Sequence, residues 1–372
     1  MKILFMCNTP YQIIVATQLR LTKFENDIVD LIISDEIAHN QELLVNIKKS
    51  DIFNDVYLIK SKKYDFQNIK LKISKRANSK LVSKMLTEAS MKLKENCQYD
   101  YYFFANLGGH SNYIGRYLKI KNENIKICMF EDGFASYTEM YRDIILREKE
   151  NSIKMKLKRI INPSSLYFCE EYYIFHPKFL YWNPKCKVKK IDQIENNENT
   201  ITKLNCIFGY NESIDVYDKP IIFFEESYFA DGIEIEDLSL ITEISNIVDK
   251  KNIFVKIHPR NNINRFEKSG FKTNKNTFVP WEIIALNIDL SNKILITIAS
   301  GSFITSYLMT GIAPKKAYML MNLPEFRNVK LTPSLNILKD VCGTNKSLFK
   351  FINNKEEFIN IIKQEINNLS IK

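Results

Sequence analysis

Three short groups of residues have types and spacings suited to proton and phosphate chemistry. Phe130-Glu131-Asp132-Gly133 sets two adjacent carboxylates just past an apolar run. A carboxylate beside another, and partly desolvated, holds its proton more tightly, which suits it to take a proton from a sugar hydroxyl. Gly133 permits a turn and the close approach of a ligand. The same residues also suit a strand-ending turn in which Asp132 bonds its own backbone. Lys256-Ile257-His258-Pro259-Arg260 joins a titratable imidazole, a rigid proline and a guanidinium. His258 can donate a proton or a hydrogen bond to a phosphate, and Arg260 can hold phosphate or carboxylate oxygens. A hydrogen-bonded surface histidine is the alternative, and His176-Pro177-Lys178 shows that the dipeptide alone is not specific. Ser300-Gly301-Ser302 falls between a β-rich and a helical piece. There its hydroxyls and N–H groups can meet a phosphate at the positive end of a helix, or Ser can simply cap it. Phe229-Ala230-Asp231-Gly232 offers Asp231 as a reserve base, with a plain turn as the alternative. His39 and His110 have no motif that assigns them a role.

These groups need elements to place them. Apolar runs at Lys2–Cys7, Ile28–Ile33, Asp55–Ile59, Tyr101–Phe104 and Ile125–Phe130 read as strands. Helical patterns lie between them at Tyr11–Lys23, Asn40–Lys48 and Ser79–Lys94, with another after Gly108-Gly109. Strands are again expected at Pro220–Phe224, Ile253–Ile257, Ile294–Ile298 and Ala317–Met321. Helices near Ile235–Asp249, Val279–Leu286, Phe303–Met309 and Lys355–Leu369 separate and close them. Such β-α alternation predicts parallel sheets covered by helices. The expected α/β architecture is two Rossmann-like domains, residues 1–150 and 219–372, facing each other across a cleft, with 151–218 as linker and crossover. Ligands bind such folds at the carboxyl ends of the strands.

Several classes are excluded. The chain has 372 residues, 45% hydrophobic and 26% charged, an ordinary globular composition with room for two domains. No GxGxxG follows the first strand and no GxxxxGK[ST] occurs, so a dinucleotide oxidoreductase and a P-loop NTPase lose their main support. Seven cysteines without CxxC spacing predict reduced thiols rather than zinc or disulfides. The apolar start is too short for a secretory signal, so a cytoplasmic protein is expected. Ile294–Pro314 is uncharged over a span's length, but its Ser, Thr and Gly content predicts a buried strand, turn and helix. The formal charge of +10 predicts anionic partners, and the basic run Lys154–Arg159 suits anionic lipid at the inner membrane or plain solvation. Nucleic acid is not expected, because aromatic and basic residues do not interleave in any RNA-binding motif.

Glu131-Asp132-Gly133, His258-Pro259 and Ser300-Gly301-Ser302, in this order at strand ends of two α/β halves, resemble the motifs of the bacterial sialyltransferases. The opening Cys7-Asn8-Thr9-Pro10-Tyr11-Gln12 and Asp231-Gly232 look most like glycosyltransferase family 52, the lipooligosaccharide and capsule sialyltransferases. The polysialyltransferase family is the near second. The resemblance implies a GT-B fold and an inverting transfer of sialic acid from CMP-sialic acid to a glycan or glycolipid hydroxyl, with no metal or other cofactor. It implies a carboxylate base, first Glu131, with Asp132 and Asp231 behind it, and His258 assisting departure of CMP. It assigns Gly133, Pro259, Arg260, Ser300, Gly301 and Ser302 to donor binding. Two alternatives stay open: a UDP-hexose transferase on the same scaffold, and a non-catalytic nucleotide- or glycan-binding protein.

Overall fold

In the computed structural model the chain forms two units, Met1–Gly209 and Tyr210–Lys372. The residues described are 1–64, 75–91, 98–105, 109–138, 169–180, 184, 186–194, 197–326, 340–341, 343, 345 and 347–370. The basic run Lys154–Arg159 lies outside them, as do Cys97 and Cys342.

The first unit is built on β1 (Lys2–Cys7), β2 (Ile28–Ser34), β3 (Val56–Ile59), β4 (Tyr101–Phe104), β5 (Lys126–Phe130), β6 (Cys169–Ile174) and β7 (Lys187–Lys190). They form one parallel sheet in the order β3-β2-β1-β4-β5-β6-β7. Burial on both faces explains the near-continuous apolar strands: Ile3 to Cys7 and Ile127 to Phe130 are wholly buried. Phe5 of β1 faces Phe103 of β4 in register, their rings stacked at 4.6 Å. Helix α1 (Pro10–Thr22) follows β1 directly. Thr9 caps it by accepting the Gln12 N–H at 3.2 Å, and Pro10 opens its first turn. Further helices are α2 (Asn40–Ser50), α3 (Lys75–Glu88), α4 (Gly109–Lys121) and α5 (Glu198–Phe208).

The second unit carries β8 (Ile221–Phe224), β9 (Ile253–Lys256), β10 (Lys272–Thr273), β11 (Ile294–Thr297), β12 (Lys316–Met319) and β13 (Phe349–Phe351). They too are all parallel, in the order β10-β9-β8-β11-β12-β13. Its helices are α6 (Asp237–Val248), α7 (Arg265–Lys268), α8 (Trp281–Asn287), α9 (Ser302–Thr310) and α10 (Lys355–Ser370). One face of the sheet buries Ile221, Phe223, Ile253, Val255, Ile294 and Ile296 against α6 and α10 residues such as Ile241, Ile244, Phe358 and Ile362. Fully burying a side chain of this size contributes roughly 1.5–3 kcal/mol.

The two expected α/β halves are present, each with the strand order of a doubly wound sheet. The expected boundaries of 1–150 and 219–372 shift. Cys169–Ile174, Lys187–Lys190 and Glu198–Phe208, all inside the supposed linker 151–218, are strands and a helix of the first unit. The uncharged run from Ile294 resolves into β11, a turn and α9, and no described helix is long and apolar enough to cross a membrane.

Candidate active site

In the first unit the site forms where β1 and β5 end. Glu131, the first residue past β5, is 0% exposed, yet its carboxyl is fully engaged. The Tyr11 hydroxyl donates to Oε1 at 2.6 Å, the Tyr137 hydroxyl to Oε2 at 2.6 Å, and the Phe175 N–H to Oε2 at 2.8 Å. Burial pushes the Glu131 carboxyl up to about 7, against the pull of those three donors, and the neighbouring Asp132 charge adds to the rise. Tyr11 stands in the first turn of α1, Tyr137 in a 3-10 turn at Ala135–Tyr137, and Phe175 just past β6. The carboxyl therefore ties four chain segments together.

Asp132 is half-buried. Gln12 Nε2 donates to its Oδ1 at 2.7 Å, and its own backbone N–H bonds Ser136 Oγ at 2.6 Å. Gln12 is itself held, because its Oε1 accepts the Asn8 N–H at 2.6 Å. Asn8 Oδ1 lies 2.7 Å from His110 Nε2. Burial lowers the His110 pKa to about 4, so the ring is neutral and Nε2 is the donor in that pair. Gly133 has φ +63°, a left-handed conformation that favours glycine, and a Cβ there would touch only the Tyr11 ring at 3.9 Å. The glycine is thus required by the turn rather than by crowding.

In the second unit His258 follows β9. The Arg260 N–H donates to His258 Nδ1 at 3.1 Å, which leaves Nε2 carrying the proton. Burial, then the Lys256 and Arg260 charges, lower the His258 pKa to about 4. The imidazole is a neutral hydrogen-bond donor at neutral pH. Its backbone N–H is fixed by Glu225 Oε2 at 3.1 Å, and Glu225 Oε1 accepts from Arg265 Nη2 at 3.1 Å. Arg265 also grips buried Asp237 with both terminal nitrogens, at 3.0 and 2.8 Å. Pro259 and Arg260 are exposed. Arg260 is engaged with Asp231, which also accepts from Ser227 Oγ at 2.9 Å, so these two charges are committed to each other in a surface turn.

Ser300 lies past β11, and Gly301 is the N-cap of α9 with no side-chain cap bond. The plain Ser cap considered from the sequence is therefore not what forms. Instead Ser300 Oγ donates to Ser302 Oγ at 3.0 Å and accepts the Ser302 N–H at 3.3 Å. Glu226 reaches the same turn: its Oε1 accepts the Thr297 hydroxyl at 2.8 Å and the Ala299 N–H at 3.0 Å. Burial raises the Glu226 pKa against these donors. Lys256, two residues before His258, is 7% exposed on β9, and Glu282 on α8 is 6% exposed. Burial lowers the Lys256 pKa to about 8 while the Glu282 and Asp215 carboxylates oppose the shift.

The structure thus brings Glu131, Asp132 and Gly133 together in one unit. It gathers His258, Pro259, Arg260, Asp231, Ser300, Gly301 and Ser302 around the strand ends of the other. Tyr137, Glu225, Glu226, Glu282 and Arg265 are neighbours of these residues that sequence reasoning did not single out, whereas Gln12 and Lys256 stood in the quoted motifs without a role of their own. Three residues had a readable signal. Phe224-Glu225-Glu226 repeats the pattern of Phe130-Glu131-Asp132, and Lys256 is a charge inside an apolar strand. Among the described residues no cluster of His, Cys, Asp and Glu has metal-ligand geometry, and Cys7, Cys128, Cys169, Cys186 and Cys206 form no disulfide with one another.

A family model described as alpha-2,8-polysialyltransferase (POLYST) matches residues 3–319. No curated protein matches the sequence. Among solved structures, an alpha/beta-galactoside alpha-2,3-sialyltransferase from the luminous marine bacterium Photobacterium phosphoreum aligns over 94% of this chain and 98% of its own. It does so at 13% identity with a TM-score of 0.52. The glycosyltransferase of kitacinnamycin aligns over 99% of this chain and 93% of its own, at 8% identity and TM-score 0.53. A UDP-N-acetylglucosamine 2-epimerase covers 98% and 86%, at 11% identity and TM-score 0.51. At these identities the likeness is one of fold, and the fold is GT-B.

Proposed function

Because the chain belongs to the alpha-2,8-polysialyltransferase family, a family of glycosyltransferases, we propose that it transfers sialic acid from CMP-sialic acid to a glycan hydroxyl with inversion. Of the two families that the sequence resembles, the match falls on the polysialyltransferases. The acceptor is a hydroxyl of a cell-surface glycan, in a capsular polysaccharide or a lipooligosaccharide. The observation that carries the reading is His258. Its Nδ1 is held by the Arg260 N–H, so Nε2–H is the donor that the leaving phosphate of CMP needs. As the bond from the anomeric carbon to the phosphate oxygen breaks, its electron pair stays on CMP and the imidazole hydrogen bond strengthens. Ser300 and Ser302 offer hydroxyls to the same phosphate. The carboxylate pair Glu131-Asp132 receives the acceptor's proton, with Glu131 favoured because burial matches its pKa to neutral operation. A single phosphate stabilised by fixed donors needs no divalent ion, so the reaction proceeds in EDTA.

The test is release of CMP from CMP-sialic acid by the purified protein, with EDTA present and an oligosialic or lactoside acceptor. Wild type is expected to turn over. Glu131→Ala and His258→Ala are expected to lose about 100-fold or more in kcat with donor KM little changed, since both act mainly in the transition state. Release from a UDP-hexose instead would replace the donor, and silence with every nucleotide sugar would leave a binding protein.

A further inference from the structure

We propose that the Tyr11 hydroxyl is the proton carrier between the acceptor and Glu131, so that the base acts through the phenol and never touches the sugar. The inference rests on the transfer reading above and deepens it at the same site. Glu131 has no exposed surface, and its two oxygens already accept from three donors at 2.6, 2.6 and 2.8 Å. Among the described residues Oε1 accepts from Tyr11 alone, but with no exposed surface on Glu131 an acceptor hydroxyl reaches the carboxyl only by way of a donor that is itself exposed. Of the three donors, the Phe175 N–H is main chain and cannot give up its proton. Tyr137 is 0% exposed and its oxygen also accepts the His176 N–H at 3.3 Å. Tyr11 is half-buried, in the first turn of α1 at the carboxyl end of β1, and its ring borders Gly133, whose turn keeps side-chain bulk away. It is the one dissociable donor on Glu131 that also has exposed surface.

The step balances. The acceptor oxygen attacks the anomeric carbon and gives its hydrogen to Tyr11 Oη. The phenolic hydrogen of Tyr11 passes to Glu131 Oε1, and the electron pair of the breaking bond leaves with CMP. Tyr11 ends as a neutral phenol and Glu131 as a neutral acid, and one proton passing from Glu131 back through Tyr11 to bulk solvent resets both groups. Among the described residues, the groups facing Glu131 are Tyr11 from α1, Tyr137 from its 3-10 turn, Tyr172 and the Phe175 N–H from β6 and its end, and Asp132 beside it. Asp132 is the only other charged group among them. Its Oδ1 is engaged by Gln12, which makes it the competing base.

The experiment compares kcat across pH 5–10 for wild type, Tyr11→Phe, Tyr137→Phe, Glu131→Gln and Asp132→Asn, each first checked for folding by circular dichroism and thermal melting. Both tyrosines lower the Glu131 pKa, so either Phe variant moves the acidic limb of the profile to higher pH. Tyr137→Phe should therefore recover as pH rises. Tyr11→Phe should stay down by about 100-fold at every pH with donor KM unchanged, as Glu131→Gln does. Recovery of Tyr11→Phe at high pH would show that the phenol only tunes the carboxyl and would overturn the proposal. A loss confined to Asp132→Asn would overturn it as well. If Tyr11→Phe does not fold, the wild-type proton inventory decides: a curved dependence on deuterium fraction means two protons in flight, and a linear one sinks the relay. Should wild type use another nucleotide sugar, the same variants are assayed with that donor. A chain that turns over none loses the transfer reading and this one together, whereas an active wild type with an unaffected Tyr11→Phe loses only this one.

Discussion

At position 131 burial and hydrogen bonding act against each other, and burial wins. A carboxyl with no exposed surface is raised from 4.5 to about 7 even though three donors stabilise its anion. That shift is also a statement about stability. A group whose folded pKa lies above its unfolded value contributes stability that is fully present below the unfolded value and is lost as pH rises through the folded one. For Glu131 the window runs from about pH 4.5 to above 7, and the difference corresponds to roughly 3 kcal/mol. Urea unfolding at fixed pH should show wild type falling by about that amount relative to Glu131→Gln between acid and mildly alkaline buffer. Parallel curves would mean that the carboxyl titrates alike in both states. The serines at 300 and 302, by contrast, are neutral and add no such pH dependence to the second unit.

The elements decide which residues meet. The tie of Glu225 to Arg265 and Asp237 joins the end of β8 to the starts of α6 and α7, and through Glu225 to the His258 backbone. Glu225 and Asp237 are 3% and 1% exposed, so deleting the cation leaves two buried carboxylates unpaired. Arg265→Ala should cost about 3 kcal/mol or more in urea unfolding and lower kcat through His258, and Arg265→Lys should rescue little, because one ammonium cannot replace the forked grip on Asp237. Full stability in Arg265→Ala would refute the tie. Much of the sheet was legible beforehand: apolar runs such as Tyr101–Phe104 and Ile294–Thr297 are strands because both sheet faces are covered. Cys169–Ile174 and Lys187–Lys190 were not, because β7 is an edge strand that leaves lysines in water and β6 beside it carries Glu170 and Glu171 straight after its first residue. Glu131 and His258 were legible as types at strand ends. Their partners were not. Tyr11 stands 120 positions from Glu131, and they meet because the sheet order sets β5 only two strands from β1, with β4 between them.

At the scale of the molecule, two all-parallel sheets share one plan, and each places its chemistry past the carboxyl ends of its strands. Parallel pairing is non-local, so each sheet must wait for chain far along the sequence. The Phe175 N–H that seals Glu131 comes 44 positions after it, on the far side of β5. A nascent chain emerging from the ribosome therefore carries β5 with an open edge and an unsealed carboxyl until β6 and β7 have been made. A fragment ending at residue 209 should unfold cooperatively and resist protease, whereas one ending at residue 150 should be digested and bind chaperones. Equal resistance of the two would show that the last strands are dispensable. The acidic motif is thus among the last parts of its unit to be assembled, and a ribosome that stalls before residue 175 leaves a chain that has the Glu131 carboxyl but cannot close it in.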